Sequence, residues 1–208
     1  MKYLIKFFIL ILFILNSRIS LFAGITGSPH DFSVAHMTGA NGEVCSICHV
    51  PHNSLSTELP LWRTNLSRIN NYVLYSSDTL DATVNQPLAP TKACLTCHDG
   101  SSASSAANGC SRCHQKSSLG TNLSNDHPVS FLFDTALTQQ DTALKDPATT
   151  PVAALGGKMI RQGMLYQDRM ECSSCHDVHA AKGDSATAPH QLLVNNQDDK
   201  LCLTCHIK

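Results

Sequence analysis

The chain has 208 residues, enough for one domain or two small ones, with 15 Lys and Arg against 16 Asp and Glu and a formal charge of −1. That balance leaves no basic surface to neutralise phosphates, so nucleic acid is excluded as a partner. Large aliphatic and aromatic side chains are sparse after Ala23, too few for the core a chain of this length should bury unless something large and apolar supplies it.

Residues 1–23 read as a signal peptide. Lys2 and Lys6 start it, an apolar run follows from Phe7 to Leu15, and small residues close it at Ala23-Gly24. The uninterrupted run falls short of the roughly 20 residues that cross a bilayer. The expected cut follows Ala23, displaced by a residue or two if Leu21 is disfavoured. No Cys at that point offers a lipid anchor, and no later segment is apolar enough to span a membrane. Removing Lys2, Lys6 and Arg18 leaves 12 basic against 16 acidic residues, a formal charge of −4. The chain is thus expected to be exported, to the periplasm or the cell exterior.

Ser28-Pro29-His30-Asp31-Phe32-Ser33 comes next, in a turn-like setting, and His36 follows. The first of five C-x-x-C-H motifs spans Cys45, Cys48 and His49, with His52 three residues on. Residues 50–93 contain Leu61-Trp62-Arg63 and Tyr72-Val73-Leu74-Tyr75, the latter predicting a short strand. Cys94, Cys97 and His98 form the second motif. A Ser/Ala/Gly linker over 100–109 leads to the third, Cys110, Cys113 and His114. His127 lies in Asn125-Asp126-His127-Pro128-Val129. Residues 134–171 read mostly as loop, broken at Asp146-Pro147 and Gly156-Gly157. The fourth motif, Cys172, Cys175 and His176, is followed by His179 and then His190. Cys202, Cys205 and His206 make the fifth. Long helices are few, and short helical turns are expected to enter or leave the motifs.

All ten Cys fall in these motifs, and a His follows every pair. A disulfide scaffold or a zinc site built from paired CxxC explains neither fact. C-x-x-C-H is the attachment signature of c-type haem. Two thiols three positions apart reach the two vinyl groups on one porphyrin edge, and the His offers its imidazole to the iron. The expected cofactors are five covalent haems, held by Cys45, Cys48, Cys94, Cys97, Cys110, Cys113, Cys172, Cys175, Cys202 and Cys205. His49, His98, His114, His176 and His206 are their proximal ligands.

Six His remain for the opposite side of the irons: His30, His36, His52, His127, His179 and His190. Five irons need five, so one of His36 and His190 is spare. Two His three residues apart lie on the same side of a turn or helix and do not straddle one iron. His52 and His179 are therefore expected to serve haems other than those of His49 and His176. Met37, Met159, Met164 and Met170 are not needed as ligands. Irons closed by His on both sides leave no open position for a substrate, so the expectation is electron transfer and no catalytic residue. No CxxCK, the motif of the active haem in pentahaem nitrite reductases, occurs.

The stretches Ser28–Ser33, Cys45–Asn53, Leu61–Arg63, Cys94–Gly100, Asn125–Ser130, Glu171–His179 and Leu201–Lys208 resemble the doubled-CxxCH multihaem cytochromes, among them the filament-forming extracellular "nanowire" cytochromes of metal-reducing bacteria. The resemblance covers most of residues 24–208. It implies a pentahaem cytochrome c domain there: mainly irregular coil with short α-helices and minimal β, templated on bis-His, low-spin haems in closely spaced stacked and T-shaped pairs. It also implies that His52 ligates a haem of the next subunit in a homo-oligomeric, conductive filament. The four-haem members lack the motif at Cys110–His114. Here residues 101–120 look like an inserted linker and extra haem site, with His36 or His190 as its distal ligand. Redox partner proteins or extracellular electron acceptors are the implied partners. A soluble pentahaem shuttle feeding a reductase is the alternative, and a multihaem reductase the third reading.

Overall fold

The computed structural model describes residues 24–26, 28–32, 44–54, 59, 61–63, 65–67, 69–101, 118–179 and 191–207. The signal peptide expected at 1–23, His36, the motif Cys110–His114 with most of its linker, and His190 lie outside the described residues.

Most of what is described is irregular chain, interrupted by single helical turns and two-residue strands. The longest element is helix α1, Ala89–His98. Its entry uses Pro90 in the first turn, where the missing N–H has no intrahelical partner to lose. It buries Ala89, Thr91, Leu95 and Thr96. Asp99 closes it through its backbone N–H to the Leu95 carbonyl at 2.9 Å, and Gly100, at φ +76, turns the chain away.

Strand β1 (Phe131–Leu132) pairs antiparallel with β4 (Arg169–Met170), Phe131 opposite Met170. Between them come α2 (Thr135–Gln140), the hairpin β2 (Pro151–Val152) with β3 (Lys158–Met159), and α3 (Ile160–Gly163). A 3₁₀ turn at Ala153–Leu155 precedes the left-handed Gly156 and Gly157 at the hairpin tip. Another 3₁₀ turn covers Cys172–Ser174, and α4 spans Cys202–Cys205. No helix among the described residues is long and apolar enough to cross a membrane.

Two sequence expectations change here. Residues 134–171 are about half loop; the rest is two short helices, a 3₁₀ turn, the β2–β3 pairing and β4, and the segment holds much of the apolar cluster. Each element there is a single turn or a two-residue pairing, too short to imprint a period on the sequence. The glycine pair does break the chain, by forming the turn of the hairpin. Tyr72–Tyr75 is not a strand. Val73 alone bridges to Asn122. The Gln86 side chain takes the place of a neighbouring strand at Tyr72, accepting from its N–H at 2.8 Å and donating to its carbonyl at 3.0 Å.

One apolar cluster gathers Phe131, Phe133, Leu137, Val152, Ile160, Met164, Met170, Val194 and Cys205; a smaller one joins Tyr72, Leu95 and Leu123. Both lie beside C-x-x-C-H motifs. Leu95 is inside the second, and Cys205 belongs to the fifth.

Candidate cofactor site

Each described CxxCH motif is wound as a helical turn. The second is the last turn of α1. In the first, fourth and fifth, the His N–H donates to the carbonyl of the first Cys: His49 to Cys45 at 2.9 Å, His176 to Cys172 at 3.1 Å, His206 to Cys202 at 2.9 Å. One such turn puts positions i and i+3 on the same face, so both thiols address one edge of a planar ligand.

Three of these turns are held by the same device. A remote segment forms a one-residue antiparallel bridge with the motif His: Trp62 with His49, Leu192 with His176, Leu144 with His206. Two backbone hydrogen bonds flank each bridge. Arg63 N–H donates to the Cys48 carbonyl and Val50 N–H to Leu61, both at 2.8 Å. Leu193 donates to Cys175 and Asp177 to Gln191, also at 2.8 Å. Lys145 donates to Cys205 and Ile207 to Ala143, at 2.7 Å. At the second motif, Leu119 N–H donates to the His98 carbonyl at 2.7 Å.

The His rings meet in pairs. His49 lies 5.9 Å from His179, His98 lies 6.0 Å from His30, and His206 lies 6.4 Å from His127, centre to centre. Each pair joins a motif His to a His outside any motif. An imidazole nitrogen bonds a metal at about 2 Å with the ring centre roughly 1 Å beyond, so two imidazoles on opposite sides of one ion are about 6 Å apart. The spacing fits an axial pair in all three cases. His179 is placed with His49 and not with its neighbour His176, and His52 is exposed on the surface.

Among the described residues no three His, Cys, Asp or Glu side chains converge as in a metal cage, and their eight Cys are free thiols. A haem iron, with four positions filled by the porphyrin, needs two protein ligands, so pairs rather than triads suit that group. Burial pushes the Cys48 and Cys175 thiols up to about 11 and Cys205 to about 12, each helped by a nearby Cys.

Among the described residues, Trp62 Nε1 and Glu171 Oε1 are buried polar atoms without a hydrogen-bond partner. Such atoms are costly unless something satisfies them. Trp62 stands edge-on to His49, ring centres 5.7 Å apart. His30 has its pKa lowered chiefly by burial, which favours the neutral imidazole that ligates metal.

The sites adjoin one another. Cys97 is near enough to Cys48 to raise it, Cys94 and Cys172 interact through their thiols, and Cys202 acts on Cys175. Helix α1 packs on the Cys172–Ser174 turn. The described motifs therefore run first, second, fourth, fifth. Between the second and fourth, Glu171 is 1% exposed; its Oε2 accepts from Thr91 at 2.5 Å and Ser130 at 2.9 Å.

Reading the sequence missed Glu171 and the bridging role of residues 61–63, 143–145 and 191–193. The repeated apolar-then-basic ending of Leu61-Trp62-Arg63 and Ala143-Leu144-Lys145 is a signal that could have linked the first two.

No protein-family model matches the chain, and no curated protein matches it.

Proposed function

We propose that the chain is a multihaem c-type cytochrome that carries electrons. The observation that carries the reading is the pairing of three motif His with three non-motif His at the separation an axial ligand pair requires. Thioether bonds from the ten motif Cys hold five haems, with His49, His98, His114, His176 and His206 on the proximal side. His179, His30 and His127 close the first, second and fifth. The third and fourth draw on His36, His52 and His190. Bound haem supplies a reversible one-electron couple. The chain's own part would be to hold each group with two thiols and a pair of imidazoles, with apolar clusters beside the motifs and successive motifs adjacent.

The test is maturation in a host that attaches haem c. The mass should rise by five haems, and the reduced protein should not bind carbon monoxide rapidly. A mass without haem, or fast carbon monoxide binding at several irons, overturns the reading.

A filament is the finer reading within it, favoured by His52, which is exposed and, among the described residues, pairs with no motif His, as ligation of a haem in a second copy requires. A soluble shuttle is what remains if the protein stays monomeric.

A further inference from the structure

The three bridging segments are alike in backbone and unlike in charge. Arg63 Nη1 donates to the carbonyl of Ser46 at 2.7 Å, and Lys145 Nζ to the carbonyl of Leu203 at 2.6 Å. Ser46 and Leu203 hold the same place in their motifs, directly after the first Cys. The bridging segment of the fourth motif has Leu193 where the others have Arg63 and Lys145. Both cations are partly buried, and among the described residues neither forms an ion pair with a carboxylate. Among the described residues no carboxylate cancels their charge, which acts through a medium less screening than water.

We propose that Arg63 and Lys145 set the redox poise of the first and fifth sites, raising them above the fourth, which has Leu193 at the same position. A fixed positive charge beside the motif favours the reduced, less positive iron and disfavours the oxidised one. Arg63 and Lys145 are positioning and tuning residues, since each acts through the motif turn and touches no ligand ring. The inference rests on the haem reading, and the two fail differently: a mass without haem sinks that reading, whereas five haems with unmoved potentials sink only this one.

The experiment is a potentiometric titration of the mature holoprotein and of Lys145→Gln, Lys145→Arg and Leu193→Lys, each first weighed for five haems. Gln keeps a donor for the Leu203 carbonyl but loses the charge. Lys145→Gln should move one haem's share of the curve down by on the order of tenfold in its reduction equilibrium, about 59 mV for a one-electron couple. Lys145→Arg should overlie the wild type. Leu193→Lys should move another haem's share up by a similar factor. If Lys145→Gln overlies the wild type, the side chain only positions the turn and the proposal is overturned. If Lys145→Gln fails to mature, Leu193→Lys decides alone, and an unmoved curve there overturns it.

Discussion

Glu171 is a carboxyl where the chain can least accommodate a charge. It lies beside the Cys94 and Cys172 thiols, its Oε1 has no hydrogen-bond partner, and Arg169 acts on it only through its charge. Desolvation raises its pKa above the ordinary 4.5, against the lowering effect of Thr91 and Ser130. In the folded state the group therefore keeps its proton to higher pH than in the unfolded chain. Folding is unpenalised below the unfolded value of 4.5; stability is lost as pH rises from there through the raised folded value. Glu171→Gln, which can still accept from Thr91 or Ser130, should remove that loss. Denaturant midpoints of wild type and variant, compared at pH 4.5 and pH 7, should show the variant gaining on the wild type as pH rises. A constant difference at both pH values would place the carboxyl's pKa at its ordinary value. At this scale the sequence disclosed the candidate ligands, because thiol spacing and a following His are written in single positions. It did not disclose Glu171 or Gln191, whose importance comes from burial created by remote packing.

The elements are short, and each depends on a few local bonds. Helix α2 begins at Asp134, whose side chain accepts from the Leu137 N–H at 3.0 Å. This is its only side-chain cap, and Leu137 is buried in the larger apolar cluster. Asp134→Ala should lower stability by about 1 kcal/mol, read as a lower urea midpoint at unchanged slope, with the haem count intact. Helices of one or two turns do not persist alone, so such elements exist because the chain around them is already placed. This explains what was legible. Residues 89–98 combine an early proline, a glycine just past the end and a motif that must be one turn, and the sequence pointed to a helical turn there. The two-residue strands at 131–132 and 169–170 are 38 positions apart in sequence and have no local pattern by which to be read. Tyr72–Tyr75 has the composition of a strand, yet a glutamine side chain supplies the pairing.

Across the whole molecule, the four described motifs follow one another as neighbours, with the apolar clusters beside them. A row of adjacent sites can carry charge along its length, and it can be extended only if something at the surface reaches the next copy. Among the non-motif His of the described residues, His30, His127 and His179 each pair with a motif His, whereas His52, exposed as His127 and His179 are, pairs with none of them. If His52 ligates a haem of a second copy, removing it should uncouple assembly from cofactor loading. His52→Ala should retain five haems by mass, because Cys45 and Cys48 remain. Sizing and electron microscopy of the secreted protein should show long assemblies for the wild type and single copies for the variant. One iron in five should turn high-spin, since its ligand is gone. Polymers in both proteins would place the interface elsewhere. A monomeric wild type with five low-spin irons would assign every axial ligand to a single chain, and the protein would then act as a soluble shuttle.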